Sequence, residues 1–171
     1  MSDISEKTAD ELMMPERIRR HPLYTENYEK LQELEKTRIF CGHSIEHFLS
    51  VARLMMIYNA ENGTGLSKEL IYAAALLHDI GRAEQYENGT PHDIAGALIA
   101  EKIMRDCGFD EADIKAVREA ILGHRDKNAD GKNDLCGLLN RADKKSRLCF
   151  ECPAEKECSW PEGKKNMRVE L

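Results

Sequence analysis

Residues 70–81, LIYAAALLHDIG, contain the longest apolar run of the chain. Apolar side chains occupy nearly every position up to Leu77, which predicts a central helix buried on all sides. The run ends in His78 and Asp79, two side chains that can bind a metal, where the core meets a loop. Neighbouring residues of a helix point about 100° apart, so this pair can serve one ion only because the helix ends there. We expect Gly81 to terminate the helix.

The composition is typical of a globular protein with one domain. The chain has 171 residues, of which 42% are hydrophobic and 33% are charged. Apolar residues recur at spacings of three and four, which indicates an all-α bundle of six or seven helices. The net charge of −6 argues against a surface that binds nucleic acid polymers. No apolar run reaches the length of a membrane span and no secretory signal is recognisable, so we expect a cytoplasmic protein.

Capping residues mark several predicted helix boundaries. Ser44, Ser67 and Asp110 are expected to be N-caps. Residues 90–93, Thr-Pro-His-Asp, resemble a capping box that places Pro91 at the first helical position. Residues 82–89, between this box and the central helix, are predicted to form a polar loop.

The remaining boundaries divide the chain into three parts. Helices are expected over residues 24–40 and 134–150. We predict an N-terminal arm or short helix, a helical core and a cysteine-containing tail, over residues 1–22, 23–150 and 151–171.

An ordered set of motifs resembles the HD-domain superfamily of metal-dependent phosphohydrolases. The set comprises His47 with Val51-Ala52 in register, the His78-Asp79 doublet, and Asp143 within residues 140–144. The resemblance covers about residues 40–148. Residues 91–97 and 121–124 look like the additional histidine motifs of the dinuclear subgroup, which includes bacterial dinucleoside tetraphosphate hydrolases. The resemblance implies one metal ion on His47, His78, Asp79 and Asp143, and a second on His92 and His124 with Asp79 bridging.

The implied ligands define the expected chemistry. Imidazoles and carboxylates without thiolate suit one or two divalent ions of Fe, Mn, Zn or Ni. Such ions would activate water for attack on phosphorus, and loss of the bridging Asp79 would be the most damaging change. Arg82 and Lys144 are candidate phosphate clamps with a catalytic role, whereas Lys145 is more simply a surface cation.

His43 is an alternative to His47 as the first ligand, because the two lie four residues apart. Val51-Ala52 stands in the family register relative to His47, which favours His47. His43 is then expected to cap the helix or to contact substrate phosphate.

The expected substrate is a small soluble phosphate ester or anhydride, for which a nucleotide is the best candidate. Two alternatives remain from the sequence. Some members of the superfamily use the same ligand order for a di-iron oxygenase, and the site could instead belong to a non-catalytic nucleotide or metal sensor. Residues 55–57, Met-Met-Ile, suit either the core or the contact face of a homodimer.

Three cysteines lie close together near the C-terminus. Cys149, Cys152 and Cys158 form a C-x2-C-x5-C pattern that could hold a structural metal if a fourth ligand were present. Cys136 is seven residues before Asp143, on the same helix face, so we expect it near the metal core rather than in the tail. Free thiols are therefore the simpler expectation for the three.

Overall fold

The computed structural model describes residues 13–169, which form an all-α bundle. Its helices begin and end as follows: α1 Met14–Arg20, α2 Pro22–Leu34, α3 Ile45–Asn62, α4 Lys68–Leu77, α5 Arg82–Asn88, α6 His92–Asp106, α7 Glu111–Gly123 and α8 Leu135–Lys145. The predicted fold class is confirmed, with one short helix more than the sequence indicated. Part of the predicted N-terminal arm, residues 1–12, lies outside the described residues. Among the described residues, no helix is both long enough and apolar enough to cross a membrane.

Helix α4 is the centre of the bundle, as its apolar sequence predicts. Every residue from Leu70 to Leu77 except Tyr72 is buried. The helix contacts α1, α3, α6, α7 and α8. Because α4 ends inside the bundle, the residues that follow it are buried as well, and His78 and Asp79 are 0% and 1% exposed.

The predicted N-caps are confirmed. Ser44 accepts a hydrogen bond from the backbone N–H of His47, and Ser67 accepts one from Leu70. Asp110 accepts one from Asp113. These contacts satisfy backbone donors that the first turn of a helix leaves without partners.

The expected loop at 82–89 is wrong, because residues 82–88 form helix α5. Gly81 has φ −80°, so it is not a left-handed terminating glycine. A Cβ on Gly81 would lie 2.2 Å from the carbonyl oxygen of His92 and 2.4 Å from the backbone nitrogen of Gly96. Glycine is required because α6 approaches the backbone this closely, a constraint that tertiary packing imposes.

The expected capping box at 90–93 is also wrong. Pro91 occupies the N-cap position of α6, and no side chain caps this end from within the box. The backbone N–H of His92 instead donates to the side-chain oxygen of Gln85 in α5. The cap therefore comes from the neighbouring helix α5, which was not predicted from the sequence.

Two helices end earlier than predicted, and side chains bond to the backbone of the residues that follow or flank their ends. Helix α2 ends at Leu34 rather than near residue 40, and the Glu35 carboxylate accepts from the backbone N–H of His43. Helix α8 ends at Lys145 rather than 150, and the Asn166 amide donates to the carbonyls of Lys144 and Arg147. Residues 149–169, called the C-terminal segment below, contain only two short 3-10 turns.

Candidate metal centre

Six side chains predicted as metal ligands converge at one end of the buried helix α4. Each lies at or near the end of a helix: His47 in the first turn of α3, His78 and Asp79 after α4, His92 at the start of α6, His124 after α7 and Asp143 late in α8. Five helices therefore hold the ligands. The centre is least shielded at Asp143, whose side chain is 25% exposed.

The ligand atoms form two groups that share Asp79. One atom from each of His47, His78, Asp79 and Asp143 lies within 4.8 Å of the others, and the same is true of Asp79, His92 and His124. Oδ2 of Asp79 is 3.0 Å from Nε2 of His78, and Oδ1 is 3.4 Å from Nε2 of His92. The two carboxylate oxygens thus face different groups.

Backbone carbonyls fix the tautomers of two histidines. Nδ1 of His78 is 2.8 Å from the carbonyl oxygen of Ala75, and Nδ1 of His124 is 2.6 Å from that of Ile121. A carbonyl oxygen can only accept a hydrogen bond, so each Nδ1 carries the proton. Each Nε2 faces the centre, where an ion can take the place of a proton on this nitrogen.

Side chains fix the other two. Oε1 of Gln85 accepts from the backbone N–H of His92 and lies 2.6 Å from Nδ1 of the same residue, so this Nδ1 also donates. The Ser146 hydroxyl donates to the carbonyl of Asp143 and therefore accepts from Nδ1 of His47. All four imidazoles consequently direct Nε2 into one space, as metal-ligating histidines do.

Within the described residues, two buried atoms in this space have no hydrogen-bond partner: Nε2 of His78 and Oδ1 of Asp143. Nε2 of His92 and Nε2 of His124 also face each other at 3.4 Å, both as acceptors. Acceptors that face one another repel, and a cation between them would relieve this repulsion. Imidazole and carboxylate ligands fit a divalent transition metal, so the centre suits the ions that the sequence predicts.

The pKa values of the ligand side chains also indicate that the centre favours a positive charge. Burial lowers the pKa of His78, but the adjacent carboxylates of Asp79 and Asp143 outweigh it and raise the pKa to about 10. Burial raises the pKa of both carboxyl groups, yet hydrogen bonds and charge from the histidines hold them well below the ordinary value. Burial lowers the pKa of His47 and His92 to about 4, with Arg147 and Arg82 contributing respectively, so both rings are neutral at pH 7.

Two arginines border the centre, and Arg82 is the one predicted from the sequence. Nε of Arg82 donates to Oδ1 of Asp79 at 2.8 Å. Arg147, which was missed, places Nη2 2.9 Å from Nε2 of His47 and 3.6 Å from Oδ1 of Asp143. The spacing of four residues between Asp143 and Arg147 could have indicated that Arg147 lies near the centre. The Nζ of Lys144, the other predicted phosphate clamp, donates to Oδ1 of Asn140.

His43 lies beside the centre and outside both ligand groups. Its Nδ1 is 2.6 Å from Oε1 of Glu35, and its Nε2 is 3.5 Å from Oδ2 of Asp79. His43 is 3% exposed, so it supports Asp79 from within the core. Glu35, Gln85 and Ser146 were not predicted either. Each contacts a histidine that lies seven or more residues away in the sequence.

The chain is similar in sequence to several known proteins. The family model of the HD domain matches residues 44–148. A Clostridium beijerinckii protein described only as uncharacterized is 44% identical over 138 residues, which cover 81% of this chain and 86% of that one. Ribonuclease Y of Nitratidesulfovibrio vulgaris (strain DP4) is 31% identical over 72% of this chain but only 22% of its own length.

One solved structure has a similar fold. It is the crystal structure of a predicted HD superfamily hydrolase from an uncultured Thermotogales bacterium, with a TM-score of 0.62. The match covers 87% of this chain and 82% of that one at 22% sequence identity. The likeness therefore concerns the arrangement of helices.

Proposed function

The chain belongs to the HD domain family, and we propose that it is a metal-dependent phosphohydrolase with a two-ion centre. The proposed substrate is a small phosphate ester or anhydride, with nucleotides as the first class to test. His47, His78, Asp79 and Asp143 would hold one ion, and His92, His124 and Asp79 the other.

The orientation of Asp79 carries this proposal. Its two oxygens face different ligand groups, and each group has histidine Nε2 atoms directed inward. A single ion held by His47, His78, Asp79 and Asp143 would leave the facing imidazoles of His92 and His124 without a partner. A bridging carboxylate between two histidine groups is therefore the economical arrangement for two ions.

The surrounding residues suit phosphoryl chemistry. When bound, two divalent ions would supply a nucleophile from water at neutral pH and offset charge on the phosphoryl oxygens. Arg82 uses Nε on Asp79 and keeps other N–H groups for a phosphate. Arg147 lies on the opposite side, beside Asp143, the most exposed of the ligands. We assign both guanidinium groups to substrate binding.

The size of the substrate is a separate question. The net charge of −6 favours a small anion over a polymer, since a long polyanion would be repelled by the rest of the surface. The likeness to ribonuclease Y nevertheless makes RNA a necessary arm of the test.

The test is phosphate release from a panel of nucleotides and a short RNA, measured anaerobically with Mn²⁺ or Fe²⁺. We expect turnover in the wild type and a fall of about 1000-fold or more in Asp79→Asn, because the bridge between both ligand groups is weakened. Asp106→Asn is the matched control, since Asp106 is a surface residue of α6 paired with Lys102. It should retain activity and metal content.

Three other outcomes would contradict the proposal. Oxygen consumption with product formation only in air would identify the oxygenase. Nucleotide binding without turnover, retained after metal removal, would identify a sensor. Equal activity in Asp79→Asn and the wild type would place the chemistry elsewhere.

A further inference from the structure

Four of the six cysteines line one cavity beside the metal centre. The cavity has a volume of about 300 Å³, and Cys41, Cys149, Cys152 and Cys158 are among its lining residues. The last three were recognised as a spacing pattern without a fourth ligand. Cys41 comes from the turn between α2 and α3, over a hundred residues earlier, so only the fold brings it to the others.

The C-terminal segment that carries three of these cysteines has very little apolar core. Its buried apolar residues are Cys149 and Ala154, while Phe150, Met167 and Val169 are exposed. Its residues form no α-helix and no strand. Segments this short with so little burial usually need a metal or disulfides to hold one conformation.

The sulfur environment suits thiolates bound to a cation. All four cysteines are free thiols. Four thiolates in one cavity would repel one another unless a cation lies between them. The backbone N–H of Trp160 also donates to Sγ of Cys158 at 3.5 Å, a contact that stabilises negative charge on sulfur.

The spacing of the sulfurs favours a cluster over a single ion. Zn–S bonds of about 2.3 Å place the four sulfurs of a tetrahedral site about 3.8 Å apart. Among residues 13–169, no three cysteine sulfurs lie within 4.8 Å of one another. In a [4Fe–4S] cluster each cysteine binds a different iron, which holds the sulfurs farther apart around a larger object. A cavity of about 300 Å³ offers far more space than one ion needs.

We propose that Cys41, Cys149, Cys152 and Cys158 bind an iron–sulfur cluster of the [4Fe–4S] class. The cluster joins the C-terminal segment to the turn before α3. It also fixes the position of Arg147, which lines the same cavity and contacts His47. The proposal does not depend on the phosphohydrolase activity. Its four cysteines are separate from the six histidine and aspartate ligands of the metal centre, called the His/Asp centre below.

Acid-labile sulfide is the decisive measurement, because iron at the His/Asp centre contributes none. We would purify the full chain anaerobically and also reconstitute the apoprotein with ferrous iron and sulfide. The wild type should contain about four sulfides per chain and show a visible absorption band that dithionite bleaches. Cys41→Ser and Cys152→Ser should lose both signals while keeping their helical circular dichroism.

Two controls separate this proposal from the proposed function. Cys136→Ser removes a cysteine that contacts the Ala120 carbonyl of α7, outside the cavity, and should keep full sulfide. Asp79→Asn should also keep its sulfide even though its phosphate release falls.

Three results would overturn the proposal. One is zinc without sulfide in the wild type, lost in Cys41→Ser. Another is an intact cluster in Cys41→Ser. The third is absence of sulfide after reconstitution.

Discussion

The His/Asp centre and the four-cysteine cavity lie side by side but are supported in different ways. Five helices hold the ligands of the first, and hydrogen bonds from Nδ1 orient each of its four imidazoles. The second takes three of its four cysteines from a segment with only two short 3-10 turns. A helical core can preform a site before the metal binds, whereas a segment without a core depends on the metal for its shape.

The largest expected effect concerns the helical framework that holds the His/Asp centre. Gly81→Ala should lower the free energy of unfolding by about 3 kcal/mol or more, because its Cβ would overlap the backbone of α6. Gly163→Ala, in the C-terminal segment, is the control, since a Cβ there meets nothing within 4 Å. Thermal and urea unfolding measure both. A Gly81→Ala protein as stable as Gly163→Ala would show that α6 can move away from Gly81, so the helical framework is not rigid.

Metal removal tests the C-terminal segment. After anaerobic chelation, tryptic cleavage at Lys156 and Lys164 should accelerate by about 100-fold or more, because the C-terminal segment would lose the proposed cross-link. Cleavage at Lys115 in α7 and the helical circular dichroism should change little. Mass spectrometry of timed digests locates the cuts. Equal acceleration at all three lysines would mean that the bundle also depends on its metal.

The smallest expected effect concerns the pH dependence of the bundle. Burial raises the pKa of Glu35, but hydrogen bonds from His43 and Tyr86 outweigh it and lower the pKa to about 2 from an ordinary value of 4.5. The folded state thus holds the carboxylate more favourably than the unfolded chain. This stability is present above pH 4.5 and is lost as the pH falls towards 2.

Glu35→Gln should therefore lower the free energy of unfolding at pH 7 by about 2 kcal/mol and flatten its decline in acid. Urea unfolding between pH 7 and pH 3 measures the difference. Glu33→Gln, which changes an exposed carboxylate paired with Lys36, should keep the wild-type pH profile. An unchanged profile in Glu35→Gln would remove Glu35 as a support of His43.

Predictions from the sequence succeeded where the deciding contacts are local. The caps at Ser44, Ser67 and Asp110 each involve a backbone group three residues away. The burial of α4 follows from its own composition. The predictions failed at Gly81 and at residues 90–93, where α5 and α6 pack together and Gln85 supplies the missing cap.

The sequence by itself determined the all-α class and the central helix, because the periodicity of apolar residues is a local property of the chain. It also determined the set of six side chains that converge, because the order of the motifs can be recognised along the sequence. Only the tertiary structure identified Gln85 and Ser146 as the partners that orient His92 and His47. It alone placed Arg147 at the centre and Cys41 beside the other three cysteines. These contacts join residues on different elements, most of them far apart in sequence, and a chain acquires them only when its helices pack.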